Sequence, residues 1–388
     1  MKTPYFLISE EKLNANIRNF KKALQDLWPN SMLAYSVKTN SLPWILQYLK
    51  DADVIAEVVS DEEYQLAKLC GYSDNHIVFN GPIKGEETFQ QAFLGKAVIN
   101  LDSTKDLEYL KRYGKDIKGC VGIRVNVDPK VFNPEDIGYE EDGFRFGFSE
   151  ETGDFVKALN CIQNVCPNCD IGIHLHCNSI TRSINIYIAL ARYAVELVKK
   201  YSIKLSFIDM GGGYFGGVEG KPVPYDYISA IKNELMRQIN PNETKLIVEP
   251  GSAIIGSAVD LYTSVLDVKD TNCTRIVTTD GSRIHIDPLW KKTHYMYSLQ
   301  STELHHVQFD RQIVCGYTCM DHDRIMIVKN EKELHVDDKI IYHRVGAYSM
   351  TLGGMFIRYY PDVYVKLNDG IHKVRNRISA EDYYKINS

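Results

Sequence analysis

Eight short apolar segments, separated by stretches with a different periodicity, constrain the fold of this chain more than any other feature. Each contains five to seven residues and is rich in aliphatic side chains, as expected of strands buried on both faces. Most of the intervening stretches repeat apolar residues at helical spacing and begin with acidic residues or proline. This alternation predicts an α/β fold, an eight-stranded parallel (β/α)8 barrel. The predicted strands are Met32–Val37, Asp53–Val58, His76–Asn80, Ala97–Leu101, Cys120–Asn126, Ile171–His176, Leu205–Met210 and Lys245–Glu249, and the clearest helices cover 42–50, 61–70, 103–113, 183–201 and 225–238.

The sequence after Gly251 has a different texture, rich in Val, Ile and Tyr with turns such as Asn368-Asp-Gly370. This pattern predicts a mostly antiparallel β domain, which the first strand candidate, Tyr5–Ile8, is expected to join. Because 388 residues exceed the usual size of one core, we predict two domains. The barrel is expected at residues 25–252, and a β-sandwich or β-barrel-like domain at 1–24 and 253–388. The other strand candidates of the β domain are Asp260–Val268, Thr274–Thr279, Gln312–Cys315, Arg324–Val328, Lys339–Val345 and Val363–Lys366. In the barrel, residues 127–150 are expected to form a long inserted loop.

Charge and hydropathy argue against several classes of function. The net charge of −5 provides no basic surface for nucleic acid. No apolar run reaches the roughly 18 residues that would cross a membrane. The apolar part of the N-terminus is too short for a secretory signal, so we expect a cytoplasmic protein whose nine cysteines are reduced thiols. Cys166-Pro-Asn-Cys169, with Cys161 nearby, offers half of a zinc site, but no second pair lies at ligand spacing, so no metal is expected.

Chemically active side chains stand at the ends of the predicted strands, which meet on one face of a parallel barrel. Lys38 ends the first strand, and the run Gly211–Gly213 after the seventh leaves backbone N–H groups free to approach a ligand. Alone, such a lysine is usually solvated, and such a glycine run is usually a tight turn. Together they indicate pyridoxal 5′-phosphate held covalently by the amine of Lys38. The other residues at strand ends are Glu57, Arg124, His176, Asp209 and Glu249.

A series of motifs in this chain resembles, in the same order, those of the fold-type III pyridoxal-phosphate decarboxylases. That family includes the ornithine and diaminopimelate decarboxylases, and the resemblance covers nearly the whole chain. The matching motifs are Tyr35-Ser-Val-Lys38-Thr-Asn, Glu57-Val-Val-Ser60, His174-Leu-His176-Cys-Asn-Ser179, Asp209-Met-Gly-Gly-Gly213, Glu249-Pro-Gly251, Cys315-Gly-Tyr-Thr-Cys319 with Asp323, and Gly346-Ala-Tyr348.

The resemblance implies a role for each matched residue. Lys38 would bind the cofactor and later release it to the substrate amine, and Glu249 would keep the pyridine nitrogen protonated. His176 would stack on the ring, with a merely buried histidine as the alternative. Cys319 would return a proton to the substrate carbon after carbon dioxide leaves, with a structural cysteine as the alternative. The implied cofactor contacts are Lys38, Glu57, Arg124, His176, Ser179, Gly212, Gly213, Glu249, Gly251, Ser252 and Tyr348.

Departures from the family pattern bear on the substrate. Met320 follows Cys319 where relatives acting on basic amino acids use an acidic residue, and a methionine cannot pair a distal ammonium. Asp321 lies one position further on, where its side chain is expected to point elsewhere. Ser252 replaces the arginine that usually follows the Glu-Pro-Gly motif, which removes one cationic contact. The segment Phe356–Pro361 lacks the usual asparagine.

A basic cluster follows Gly281. It is either a solvated surface or a pocket for a substrate with a distal carboxylate, in which Arg283, His285, Met320, Asp321 and Tyr348 would contact the substrate. The cluster consists of Arg283, His285, Lys291, Lys292 and His294.

These observations predict a pyridoxal-phosphate-dependent α-decarboxylase acting on an amino acid or amino-acid conjugate other than a simple basic amino acid. The departures are similar to those of siderophore-pathway decarboxylases of this family, which act on citrate-linked diamino acids. One alternative is an ornithine-, lysine- or diaminopimelate-type decarboxylase. A racemase is another, although racemases with this barrel place arginine where this chain has Glu249. A non-catalytic regulatory homologue is the third, against which Lys38, Glu249 and Cys319 argue. Because relatives insert the Cys319 loop into the other subunit's site, the resemblance also implies a homodimer with shared active sites.

Overall fold

A computed structural model describes residues 1–115, 119–138, 142–177, 180–272, 274–301 and 307–388. The chain divides into two compact units, which we call the barrel unit, Asn16–Ile254, and the sheet unit, Met1–Ala15 with Ile255–Ser388. The ranges predicted from the sequence are 25–252 for the first and 1–24 with 253–388 for the second. The observed division, after Ala15, and the predicted one, after residue 24, both fall inside the first helix, Glu10–Leu27.

The bounds of the elements, numbered in chain order, are as follows. The strands are β1 (Tyr5–Ser9), β2 (Ser31–Ser36), β3 (Ile55–Val58), β4 (Ile77–Phe79), β5 (Val98–Leu101), β6 (Cys120–Asn126), β7 (Phe148–Ser149), β8 (Asp170–His174), β9 (Phe207–Asp209), β10 (Lys245–Val248), β11 (Val259–Asp270), β12 (Arg275–Thr279), β13 (Tyr297–Gln300), β14 (Gln308–Phe309), β15 (Gln312–Cys315), β16 (Arg324–Val328), β17 (Glu331–Lys332), β18 (Lys339–Tyr342), β19 (Asp362–Leu367) and β20 (Gly370–Arg375). The α-helices are α1 (Glu10–Leu27), α2 (Pro43–Asp51), α3 (Asp61–Leu69), α4 (Glu86–Leu94), α5 (Thr104–Tyr113), α6 (Asp154–Val165), α7 (Ile184–Tyr201), α8 (Pro224–Leu235), α9 (Ser252–Ile255), α10 (Arg283–Ile286), α11 (Ser349–Leu352) and α12 (Ala380–Asn387).

Eight parallel strands close the barrel in the order β2, β3, β4, β5, β6, β8, β9 and β10, with β10 pairing back to β2. The predicted (β/α)8 fold is confirmed. Polar caps and prolines start its helices, as the sequence patterns suggest: Ser60 and Ser103 accept hydrogen bonds at the starts of α3 and α5, and prolines open α2 and α8. A hydrophobic core cluster on the barrel strands is formed by Ala34, Ile55, Val78, Val98, Phe207 and Ile247.

The sheet unit contains a mostly antiparallel sheet in the order β16, β15, β12, β11, β1, β19 and β20, with β18 joining β11 to β13. Tyr5–Ser9 lies inside this sheet, antiparallel to β11 and parallel to β19, as predicted for the first strand candidate. A two-residue connection, Asn368-Asp369, joins β19 to β20 at the predicted turn. The sequence patterns gave no strand at β20 and missed the short strands β7, β13, β14 and β17. The two to four residues of each short strand show no clear alternation.

The prediction that all cysteines are reduced is wrong for one pair, because Cys166 and Cys169 form a disulfide across the turn after α6. Their spacing suited half of a zinc site, but the same proximity lets the two sulfurs bond to each other. The other described cysteines are reduced thiols. Among the described residues, no helix has the length and apolar character needed to cross a membrane.

Candidate active site

Lys38 and Glu57 form an ion pair at the carboxyl ends of β2 and β3. The Nζ atom of Lys38 lies 3.0 Å from Oε2 of Glu57 and 2.8 Å from the hydroxyl of Ser36. The side chain of Lys38 is 45% exposed, whereas that of Glu57 is 1% exposed. Burial alone would favour the neutral carboxyl, but the charge of Lys38 and the hydrogen bonds from Ser36 outweigh it and hold the pKa of Glu57 below its usual value. The lysine amine is therefore reachable from solvent and paired with a fixed negative charge.

Two buried asparagines link Glu57 to the far side of the barrel. The amide of Asn80 donates to Glu57 at 3.0 Å and to Glu249 at 2.6 Å. The side-chain amide of Asn100 donates to the side-chain oxygen Oδ1 of Asn80 at 2.8 Å and to the carboxyl group of Asp209 at 2.9 Å. Strands β3, β4, β5, β9 and β10 thus contribute to one connected polar network. The network holds three buried carboxylates close together.

Asp209 and Glu249 share the centre of this network. Burial raises the pKa of Asp209 to about 6, and burial together with the negative charge of Asp209 raises the pKa of Glu249 well above its usual value. Like charges at such short range disfavour ionisation of both groups, so burial and the neighbouring Asp209 favour the protonated form of Glu249. The nitrogen Nε2 of His174 lies 3.7 Å from Glu249. An acid of this kind suits a basic ring nitrogen placed beside it.

His174 ends β8 and His176 follows it, with their rings nearly parallel, the planes 9° apart and the centroids separated by 6.5 Å. Burial, followed by the positive charges of Arg124 and Lys38, lowers the pKa of His176 to about 3, so its imidazole is neutral at pH 7. A Cβ atom at Gly211 would lie 2.7 Å from Cβ of His176, and φ at Gly211 is +60°. Glycine is therefore required there, and the loop comes close to the imidazole.

The glycine loop after β9, Gly211–Gly213, is held in place by a hydrogen bond from Tyr187. The hydroxyl of Tyr187, on α7, donates to the carbonyl of Gly212 at 2.8 Å. Since a peptide group is planar, fixing this carbonyl also fixes the N–H of Gly213 on its opposite side. At the next strand end, the backbone N–H of Glu249 donates to the carbonyl of Gly211 at 2.8 Å. The loop is thus a rigid set of backbone donors of the kind that binds phosphate.

Arg124, on β6, is tied to the wall of the barrel. Its Nη1 atom donates to Asp102 at 2.9 Å, and the guanidinium lies 4.4 Å from the centroid of the Phe146 ring. Asp102 also accepts the backbone N–H of Gly147 at 2.9 Å, so the loop before β7 and the arginine have a common partner. Arg124 therefore supplies a positive charge of fixed position.

Most of the predicted cofactor contacts belong to the barrel unit. Ser252 begins α9, directly after Gly251. Ser179 lies outside the described residues. Glu57 and Arg124 lie near the ends of β3 and β6. The remaining members in the barrel unit follow strand ends, at Lys38, His176, Gly212, Gly213 and Glu249.

The predicted residues of the sheet unit have different surroundings. Cys319 is exposed on the loop between β15 and β16, next to the half-buried Met320 and the exposed Asp321. Tyr348, the residue before α11, has a left-handed backbone with φ of +64°. These four positions stay predicted site residues.

Arg283 and His285 are engaged within the sheet unit. The guanidinium of Arg283 donates to Asp287 at 3.2 Å and to the carbonyl of Lys292 at 2.6 Å, and it lies over the ring of Trp290. His285 is 2% exposed, and burial lowers its pKa to about 4. Both side chains thus have a structural environment, so the proposal of substrate contacts at these two positions gains no support from their packing.

Sequence patterns assigned no role to Asn80, Asn100, His174 or Asp209. Asn80 directly follows β4, and Asn100 lies near the end of β5. A polar residue at the end of an apolar strand was a usable signal for both, by the same rule that singled out Lys38. His174 and Asp209 stood in quoted motifs, but nothing local indicated that they meet Glu249.

The site fits pyridoxal phosphate on three observations. A half-exposed amine, Lys38, is available for a covalent link, and a rigid glycine loop offers phosphate donors. Glu249, whose protonated form burial favours, lies beside His174 and suits a pyridine nitrogen. Neither ring nitrogen of His174 has a hydrogen-bond partner among the described residues. His174, Asp209 and Glu249 also place one ligand atom each within 4.8 Å of one another, a geometry that a metal ion could use.

Comparison with known proteins identifies relatives along the whole chain. Residues 10–256 match the sequence model of the pyridoxal-dependent decarboxylase family, described by its pyridoxal-binding domain. The diaminopimelate decarboxylase of Archaeoglobus fulgidus is 25% identical over 365 residues, which cover 91% of this chain and 85% of the relative. A diaminopimelate decarboxylase of Helicobacter pylori is 27% identical over 402 residues, covering 99% of this chain and 95% of the relative.

Solved structures with the same fold include diaminopimelate decarboxylase from M. jannaschii. It superposes with a TM-score of 0.87 at 23% identity, covering 100% of this chain and 92% of that one. The enzyme from Helicobacter pylori complexed with L-lysine gives a TM-score of 0.84 at 24% identity and covers 100% and 97% of the two chains. The arginine decarboxylase of Paramecium bursaria Chlorella virus gives 0.77 at 20% identity, with coverage of 94% and 96%.

Proposed function

The chain belongs to the pyridoxal-dependent decarboxylase family, and from that membership we propose that it removes the α-carboxylate of a diamino acid. The enzyme is a pyridoxal-phosphate-dependent amino-acid decarboxylase, a carboxy-lyase. The alternatives of a racemase and of a non-catalytic homologue therefore fall away. Which amino acid it uses, and which residues act on it, are the substance of the proposal.

In the proposed site, Lys38 holds the cofactor and Glu249 holds the proton on its pyridine nitrogen. Bound pyridoxal phosphate supplies an electron sink for the pair of electrons left on Cα when carbon dioxide departs. Burial and the negative charge of Asp209 favour a proton at Glu249, which supports this assignment. His176 packs against the ring face, since a neutral imidazole costs less to bury there than a charged one.

The phosphate is proposed to lie on the glycine loop. Gly212 and Gly213 offer backbone N–H groups, with Ser179, Gly251, Ser252 and Tyr348 as further contacts. Arg124 supplies a positive charge near His176. Glu57 faces Lys38 at 3.0 Å, where its negative charge favours the protonated amine before the cofactor binds.

The diamino acid as substrate is supported by one observation, the identity of the relatives. Full-length matches at 25–27% identity are diaminopimelate decarboxylases, whose named substrate carries a second amino group. The arginine decarboxylase of similar fold is likewise named for a basic amino acid. A basic amino acid, which Met320 argued against, is therefore again a candidate substrate.

A second candidate, a diamino acid whose distal amine is conjugated, is favoured by Met320 and Ser252. Neither side chain is charged, so neither can form an ion pair with a distal ammonium. Leaving a distal ammonium buried and unpaired would cost several kcal/mol. A citrate-linked diamino acid of siderophore biosynthesis has no free distal ammonium and fits this pattern.

Carbon dioxide release from a panel of substrates separates the two candidates. The panel consists of meso-diaminopimelate, lysine, ornithine, arginine and a diamino acid joined through its distal amine to citrate. The first candidate predicts a kcat/KM for diaminopimelate about 10²-fold above that for the conjugate, and the second predicts the reverse order. A cofactor-loaded protein that releases carbon dioxide from none of these contradicts both.

The covalent link has its own test. The purified protein should be yellow, and borohydride reduction should leave a cofactor adduct on the peptide that contains Lys38. The Lys38→Ala variant should show neither the adduct nor turnover, while exposed Lys12→Ala on α1 serves as the matched control. An adduct on another lysine would contradict the assignment.

Two further expectations from the resemblance are also proposals. Lys38 lies in the barrel unit and Cys319 in the sheet unit, and a homodimer in which each site takes Cys319 from the partner would unite the two. A cytoplasmic location stays a prediction.

A further inference from the structure

Asp323 is the last residue of the loop that carries Cys319, and it forms hydrogen bonds with the first residue and the middle of that loop. The loop, Gly316–Asp323, connects β15 to β16. The backbone N–H of Gly316 donates to the carbonyl of Asp323 at 2.8 Å, and the backbone N–H of Asp323 donates to the carbonyl of Met320 at 2.9 Å. A closed loop of eight residues results, with Cys319 exposed in its middle.

The carboxylate of Asp323 is buried, and both of its oxygens accept hydrogen bonds. Asp323 is 2% exposed. Its Oδ2 atom accepts the hydroxyl of Thr318 at 2.7 Å and the hydroxyl of Ser282 at 2.9 Å, while Oδ1 accepts the backbone N–H of Arg283 at 3.0 Å. The backbone N–H of Thr318 also donates to Oδ2, at 3.4 Å. These contacts join the loop to the start of α10.

The anchor for these contacts is itself held in place. Ser282 is fully buried and also caps α10 by accepting the N–H of Ile284 at 3.2 Å. Arg283 is tied to Asp287 and to the carbonyl of Lys292. Ser282 and Arg283 therefore form a fixed base for the loop.

Both chain neighbours of Cys319 are held by Asp323, one through its carboxylate and one through its backbone N–H. Gly316 shows how close the fit is, because a Cβ atom there would lie 2.1 Å from Oδ2 of Asp323. The loop thus presents one thiol between two fixed points.

We propose that Asp323 is a positioning residue that aims the thiol of Cys319 at the carbon from which carbon dioxide has left. The inference rests on the proposed function, in which Cys319 returns the proton to Cα. When the proton reaches Cα, the products are carbon dioxide and an amine, and the cofactor is unchanged. When it is added to the cofactor carbon instead, the substrate nitrogen stays on the cofactor. The products after hydrolysis are then carbon dioxide, an aldehyde and the aminated cofactor.

The test compares product ratios in cofactor-loaded Asp323→Asn and Cys319→Ala. Asparagine keeps one acceptor oxygen but presents an NH2 group to donors that need an acceptor. Both variants should bind the cofactor normally and increase the fraction of aldehyde among the products. Turnover should fall by about 10²-fold in Cys319→Ala and by about tenfold or more in Asp323→Asn. The double variant should be no worse than Cys319→Ala, because residues that act as a unit are not additive.

A matched control separates positioning from stability. Asp338 is a fully buried aspartate of the same unit that accepts the backbone N–H of His335 at 2.9 Å. Asp338→Asn should lower the melting temperature without changing the aldehyde fraction per turnover. An unchanged aldehyde fraction in Asp323→Asn, or a double variant with fully additive losses, would overturn the proposal.

Two further measurements keep the proposal testable under other outcomes. If Asp323→Asn does not fold, Thr318→Val removes one donor at the half-buried edge of the loop and should still increase the aldehyde fraction. Hydrogen exchange of the peptide spanning residues 316–323 needs no substrate. It should be at least about fivefold faster in Asp323→Asn than in the wild-type protein, and equal rates would refute the loop-ordering role even if the proposed function itself failed.

Discussion

The side-chain amide of Asn80 lies 2.6 Å from Oε1 of Glu249, although the two residues are 169 positions apart in the sequence. The same amide also donates to Glu57 at 3.0 Å, so one neutral side chain lies between two buried carboxyl groups. Asn80 thus gives each carboxyl group a neutral donor and links the Lys38–Glu57 ion pair to Glu249.

Asn80→Ala should destabilise the protein by about 1–3 kcal/mol, since two buried carboxyl groups lose a donor. Urea unfolding monitored by circular dichroism measures this free energy of unfolding. Asn75→Ala, at an exposed asparagine in the loop before β4, should change it by less than about 0.5 kcal/mol. Equal effects of the two variants would show that the Asn80 network contributes no stability.

The stability of the cofactor-free protein should depend on pH through Asp209. Its pKa is raised from 3.8 to about 6, chiefly by burial. A folded-state pKa above the unfolded value means that the folded protein binds the proton more tightly, so stability is present below about pH 4 and is lost as the pH rises through about 6. Asp209→Asn should remove this loss, which is measured as the difference between the two proteins' unfolding free energies from pH 4 to pH 7. Parallel curves would contradict the assigned shift.

Tyr187→Phe should weaken cofactor binding by about fivefold to tenfold, because the carbonyl of Gly212 loses its donor and the N–H of Gly213 is no longer held toward the phosphate. Titration of the cofactor absorbance gives the Kd. Tyr193→Phe is the control on the same helix, where the hydroxyl donates to Glu151 at 3.0 Å, away from the glycine loop. A change of the same size in the control would mean that the effect comes from the stability of α7.

Mixing inactive Lys38→Ala with inactive Cys319→Ala should restore activity if the sites are shared across a homodimer. Each mixed dimer would contain one site with both residues intact, so activity should approach that of one wild-type site per mixed dimer. Subunit exchange is followed in parallel by mass spectrometry of differently labelled chains. Proven exchange without recovery would place both residues in the site of a single chain.

Met320→Glu should improve any activity on free basic amino acids, because the new carboxylate can pair a distal ammonium. We expect kcat/KM for lysine or ornithine to rise by about tenfold or more, mainly through a lower KM. Met320→Gln, which is of similar size and uncharged, is the matched control. A variant that gains nothing on basic substrates would show that residue 320 does not face the distal end of the substrate.

The barrel could be predicted from the sequence because its signal is local. Each strand is short and buried on both faces, so its hydrophobic character can be read from five or six consecutive residues, as in Met32–Val37. The same reasoning placed Lys38 and Glu57 at one edge, since parallel strands share the direction in which they end. The observed strands β2 and β3 end at Ser36 and Val58, within a residue or two of those predictions.

Tertiary structure alone decided the protonation of the site and the fates of several side chains. The raised pKa values of Asp209 and Glu249 come from burial next to each other, and no pattern within β9 or β10 encodes that proximity. Arg283 has the sequence context of a basic surface, yet packing over Trp290 and bonding to Asp287 turned it into an anchor. Cys166 and Cys169 had the spacing of metal ligands but bond to each other. Hydrophobic period and strand direction are properties of a segment, whereas charge, proton affinity and hydrogen-bond partners depend on what the folded chain brings within a few ångströms.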